Sequence, residues 1–199
     1  MAVLSARPGL AYTAIHLSQQ MKTPKLVGLY SPAPQSGKTF AASIISEQGY
    51  TIVPFAGTLK DMIIPMITAL GYDYPRAWEL VISDKNYVLP EIGVSARHML
   101  QTLGTEYGRQ CLHPDIWLKC WQKKAERFSA VVADDVRFPN EADLIRSLGG
   151  EMWLVRRFAV QRTTSHSSEG SLDDYSFDRV IENDGTLDDL RSKVMAALQ

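Results

Sequence analysis

The chain has 199 residues, 45% of them hydrophobic and 22% charged, and a formal net charge of −1. That length supports one sizeable core, and the balance is that of a water-soluble globular protein. The near-zero charge argues against a general field for polymeric nucleic acid or an acidic membrane, and no run approaches the ~20 apolar residues of a membrane helix.

Residues 1–23 read as an appendage to the domain. Arg7, Pro8 and Gly9 interrupt the start before the apolar stretch of a signal peptide can form. From there, short apolar runs rich in β-branched residues alternate with helical patterns, which predicts a parallel α/β sheet. "KLVGLY" (25–30) is the first strand, and a helix follows from Lys38 to Glu47, ending near Gly49. "YTIVPF" (50–55) is the second strand, and residues 57–70 form a helix bent near Pro65. The stretch 71–94 reads as irregular around a short helix from Arg76 to Ile82. Ser95 caps a helix expected to run through Arg109, and Pro114-Asp115 opens another to about Phe128.

"SAVVADD" (129–135) is an almost unbroken apolar run, the best candidate for a central strand buried on both faces. A helix over 141–148 and a strand over 151–157 follow, then a polar, Ser-rich loop over 158–176. "DRVIEN" (178–183) is the fifth strand, and Thr186 caps the closing helix. Cys111 and Cys120 fall on opposite faces of a helical stretch, so neither a local disulfide nor a shared metal site is expected, and a reducing, cytoplasmic compartment fits.

Chemistry enters at "SPAPQSGKTF". Ser36-Gly37-Lys38-Thr39 matches the end of the phosphate-loop motif G-x-x-x-x-G-K-[ST], but Pro32 stands where the first glycine belongs. Context decides: the tripeptide follows a strand after a loop of the right length and opens a helix. Backbone amides of Gln35, Ser36, Gly37, Lys38 and Thr39 would then receive ATP phosphates, with Lys38 on the β- and γ-phosphates and the Thr39 hydroxyl on Mg²⁺. Proline tolerates the extended backbone at a loop's start. In "VVADDVRFPNE", Asp134 and Asp135 end the central strand, and alternation sends them to opposite sides, so one is expected to hold Mg²⁺ through water.

"SARHMLQTLGTEYGR" (95–109), "ADDVRFPNEAD" (133–143) and "DRVIENDGTLDDL" (178–190) resemble the deoxynucleoside monophosphate kinases of bacteriophages. The resemblance runs from about Lys25 to Leu190. It implies a P-loop NMP kinase-like three-layer α/β fold: a five-stranded parallel sheet flanked by helices, an NMP-binding helical region over about 56–128, and a lid over about 157–176. It implies ATP-dependent phosphorylation of a deoxynucleoside monophosphate, small-molecule substrates, a possible homodimer and the host cytoplasm. In that family an acid followed two residues later by arginine ends the central strand, which favours Asp135 and Arg137. Animal-type phosphomevalonate kinases look related through similar D-x-R and IEN-x-G segments, so another phosphorylated acceptor stays open, as does a non-kinase ATPase.

Phosphoryl transfer needs aligned phosphates and neutralised charge, and arginine serves both with its planar fork. Arg97 and Arg137 are expected on the acceptor phosphate, joined by Arg109 and by Gln101, which shares the Arg97 helical face. One or more of Arg156, Arg157 and Arg162 would close from the lid, Arg157 being the catalytic choice. The resemblance implies that His166 and Glu169 shape the lid. Lys60 reads as a surface lysine, and Tyr72, Tyr74, Trp78 and Tyr87 as core aromatics rather than a base pocket. Similarity to related kinases implies that Asn183 and Gly185 turn the chain beside the adenine.

Overall fold

The structure is a computed structural model that describes residues 25–157 and 171–199. Strand β1 (Lys25–Tyr30) is buried at every residue but the first. Its alternation divides the core: Leu26 and Tyr30 enter one apolar cluster, Val27 and Leu29 the opposite one. The expected five parallel strands are present, β2 (Thr51–Ile52), β5 (Ala130–Ala133), β1, β6 (Glu151–Arg156) and β7 (Arg179–Glu182), in that spatial order. Strand β1 therefore lies at the centre, with Val27 beside Val132 on one side and Glu151 on the other.

Helices α1 (Lys38–Glu47) and α7 (Leu187–Ala197) contribute Ile44, Ile45, Leu190 and Val194 to one layer. Helices α5 (Ile116–Ala125) and α6 (Pro139–Ser147) contribute Trp121 and Ile145 to the other. Helices α2 (Gly57–Ala69), α3 (Tyr74–Ile82) and α4 (Ala96–Thr102) form a region with its own cluster, including Ile63, Ile67, Leu80 and Leu89. Thr186 caps α7 and Ser95 caps α4, each accepting from the backbone amide three residues on, as their positions predict. Among the described residues, no helix is long and apolar enough to cross a membrane.

Three expectations need correction. The stretch 71–94 contains a small antiparallel hairpin, β3 (Val88–Leu89) with β4 (Val94–Ser95), turned through Gly93. The predicted α-helix through Arg109 becomes a π-helical segment, Leu103–Leu112. Here the Gly104 carbonyl accepts from Trp117 Nε1 at 2.8 Å and from Arg109 at 3.0 Å, and the ladder widens to bonds such as His113 N–H to Gly108 O. Finally, Tyr74, Trp78 and Tyr87 are exposed rather than core, Tyr74 and Trp78 stacking on each other, while Tyr72 packs partly against the third cluster.

Candidate active site

The loop between β1 and α1 lines a cleft of ≈ 460 Å³ whose wall also includes Val136 and Arg137. Gly37 supports the tight entry into α1: its φ of 96° suits glycine, and a Cβ there would lie 2.5 Å from Asn183 Nδ2. Gln35 also has positive φ, at 56°. No side chain caps α1, so its first amides keep their capacity for a ligand. Pro32 is accommodated at the loop's start, where Ser31 closes a small turn onto Ala33. Ser36 is buried, Lys38 half-buried and Thr39 exposed.

Asn183 fixes this loop. Its buried side chain donates from Nδ2 to the Ser36 carbonyl at 2.9 Å across 147 residues of sequence, while its own amide donates to the Arg156 carbonyl. In the structure Asn183 tethers the loop between β1 and α1.

The two acids lie just past β5. Asp135 accepts from the amides of Phe55 at 2.7 Å and Ala56 at 3.0 Å, joining the end of β5 to the entry of α2. Strand β2 is held there by Val53 N–H on Val132 O and Trp121 Nε1 on Val53 O. Burial pushes the Asp134 carboxyl above its ordinary range, Asp135 adds repulsion, and Lys38 and Lys60 oppose the shift. Burial likewise holds the Lys38 ammonium below its ordinary value, Arg137 adding to this and Asp135, Asp134 and Glu141 opposing it.

Glu141 is a site residue that the sequence reading missed. It is 4% exposed and accepts from the amides of Arg137 at 2.9 Å and Phe138 at 3.2 Å. Burial raises its pKa to about 7; the two amides pull the other way and Asp135 adds to the rise. The sequence signal was present, since Glu at the third helical position after Phe138-Pro139 reaches back to the helix start.

The arginines divide. Arg137 is exposed at the cleft, its carbonyl accepting from Ser171 Oγ. Arg97 is exposed at the start of α4, and its Nε donates to Asn86 Oδ1 at 2.6 Å. Arg109 instead braces the interior. Its guanidinium lies over the Phe138 ring, donates to Gly104 O and comes within 3.7 Å of Glu141. Gln101 is exposed on α4. Arg156 ends β6 and pairs with Glu182 at 2.7 Å, while the exposed Arg157 follows it. Arg162, His166 and Glu169 lie outside the described residues.

The sequence model of the family "Deoxynucleotide monophosphate kinase" matches residues 81–194, which include Arg97, Asp135, Arg137, Glu141 and Asn183. A protein of Acanthamoeba polyphaga mimivirus named for the same activity is 29% identical over 180 residues, covering 82% of this chain and 91% of that protein. The deoxynucleoside-5′-monophosphate kinase of Escherichia phage T5 is 40% identical over 75 residues, 37% of this chain and 30% of that enzyme. The deoxynucleotide monophosphate kinase of Escherichia phage RB69 is 29% identical over 110 residues, 53% of this chain and 45% of that enzyme. The chain thus spans less than half the length of either phage enzyme. With the matched model extending over more than half of its residues, this chain belongs to the deoxynucleotide monophosphate kinase family.

Proposed function

We propose that the chain is an ATP-dependent kinase that transfers the γ-phosphoryl group to a deoxynucleoside 5′-monophosphate, giving the diphosphate and ADP. The observation that carries this reading is the cleft that brings the Lys38 loop and Arg137 together. It supports placing donor and acceptor phosphates side by side. An acceptor phosphate oxygen forms the new bond to the γ-phosphorus as the bond to the β–γ bridging oxygen breaks, and the electron pair leaves with ADP. Most of the protein's work is alignment and charge neutralisation.

Gln35 to Thr39 receive the ATP phosphates, and Lys38 neutralises charge developing on the transferring group. Arg137 and Arg97 hold the acceptor phosphate, and Gln101 faces the acceptor's base. Arg109 acts through Glu141 and the Arg137 segment rather than on substrate. Of the lid arginines, Arg157 is placed on the transferring group. Its neighbour Arg156 is tied to Glu182, and Arg162 is kept as a lid contact on sequence grounds.

Magnesium fits the donor set. Thr39 and the Asp134–Asp135 pair supply hard oxygens, and a cation would relieve the buried Asp134 carboxyl. Substrate phosphates and water would supply the remaining ligands of such an ion. Bound there, it would neutralise charge on the phosphate oxygens. A homodimer and a host-cytoplasmic setting remain part of the proposal on family resemblance.

The test is ADP release from Mg-ATP with dAMP, dGMP, dCMP, dTMP and their ribose counterparts, against an acceptor-free blank. Stimulation by at least one deoxynucleotide is expected. In that assay Lys38→Ala should lower kcat by roughly 10²-fold or more while circular dichroism stays native. Flat rates with every nucleotide would refute the reading and make phosphomevalonate the next acceptor.

A further inference from the structure

Lys60 and Lys85 are cations that the reaction just described leaves unused. Lys60 stands in the first turn of α2, and Lys85 in the turn between α3 and β3, both half-buried. The Lys85 carbonyl accepts from Arg97 N–H at 2.9 Å, the adjacent Asn86 holds the Arg97 side chain, and pairing of Val88 with Ser95 fastens that turn to α4. The entry of α2 is fastened to the end of β5 by Asp135, two residues before Arg137. These bonds tie the segment of Lys85 to that of Arg97 and the segment of Lys60 to that of Arg137, and the third apolar cluster packs α2 against α3 and α4. Among the described residues, neither Lys60, Lys85 nor Arg137 has a carboxylate salt bridge or donates a side-chain hydrogen bond.

We infer that Lys60 and Lys85 complete, with Arg97 and Arg137, a cradle for the acceptor's phosphate dianion. Two facts support it beyond position. The charges crowd one another: burial lowers the Lys85 pKa, Lys60, Arg137 and Arg97 lower it further, and Asp135 opposes them. Such a cluster costs free energy when empty, and a dianion reverses the sign of that interaction. Arg137 also lines the nucleotide cleft, so a phosphate gripped from the lysine side lies next to the transferring group. Lysine suits this side because its point charge attracts a phosphate without fixing which oxygen it contacts, leaving one oxygen for attack.

The inference rests on the kinase reading, and its test separates the two. Steady-state constants would be measured for the full chain, Lys85→Gln, Lys60→Gln and the charge-preserving Lys85→Arg, with the most active deoxynucleotide. Calorimetric binding of that nucleotide and of its phosphate-free deoxynucleoside would be measured with a non-hydrolysable ATP analogue filling the loop. Each Lys→Gln variant should raise the acceptor KM by about tenfold or more, with the KM for ATP within about twofold. Lys85→Arg should recover most of the loss, and deoxynucleoside binding should not change. An acceptor KM unchanged in both variants, with active wild type, would overturn the cradle but not the kinase. If no deoxynucleotide is turned over, the kinase reading fails. The cradle is then judged on inorganic phosphate binding with the analogue in place: weakening in the variants supports it, and equal affinity overturns it.

Discussion

Glu141 carries an electrostatic cost at neutral pH. Its carboxyl has an ordinary pKa of 4.5 and is raised by burial to about 7 in the folded chain. Between those values the folded state binds the proton more tightly than the unfolded chain, so stability falls as pH rises, and the penalty is complete above about 7. The shift corresponds to at most about 3 kcal/mol. Glu141→Gln keeps an oxygen for the Arg137 and Phe138 amides but removes the titration. We expect urea midpoints of the wild type to fall from pH 5 to pH 8 and those of the variant to stay nearly level across that window. Parallel curves would show that Glu141 does not set the slope.

At the scale of elements, the π-helical segment is built around a bulky neighbour. A Cβ at Gly108 would come 2.3 Å from the Trp117 ring, a contact with no room to relax except by moving the indole or the segment. Gly108→Ala should therefore destabilise by roughly 1–3 kcal/mol and disturb Arg109 at the Glu141 end, read as a shifted melting curve and a weaker near-UV tryptophan signal. Native stability would mean that the segment yields freely. This element also marks a limit of sequence reading. Arg97 to Arg109 carries a helical pattern, and the Ser95 cap is visible in it, but the widening comes from Trp117 claiming a carbonyl 13 residues away. The hairpin at Val88 and Val94 was hidden for a related reason: two-residue strands leave no alternation to detect. By contrast, β1 and β5 were legible because burial on both faces writes an unbroken apolar run. The strand–loop–helix corner around Ser36-Gly37-Lys38-Thr39 was legible too, its turn signals being local in sequence. The backbone contacts of Asp135 and Asn183 were not, because their partners are met only in the fold, whereas Glu141 had its signal at the helix start.

At the scale of the molecule, three apolar clusters among the described residues divide the labour. Two clamp the sheet that presents the phosphate loop and the acids, and the third holds α2, α3 and α4 together under Lys60, Lys85 and Arg97. Leu80 is fully buried in that third cluster. Leu80→Ala should cost about 2–5 kcal/mol, with the loss concentrated in the helical region. Amide exchange should quicken over 57–102 before it does over β1, β5 and β6, and acceptor affinity should fall more than ATP affinity. Uniform acceleration throughout would show that the clusters unfold as one.

The Asn183 tether has a consequence for the order in which a working protein arises. The loop it holds belongs to the first strand–helix unit, yet its anchor lies 147 residues downstream. During synthesis the ribosome releases the lysine, the glycine and the first helix long before the asparagine that fastens the Ser36 carbonyl. A nascent chain therefore carries its nucleotide-binding motif without the brace that sets its shape. The loop thus reaches its final shape only when the strand Arg179–Glu182 and the residue after it have been made, later than α2, α3 and α4.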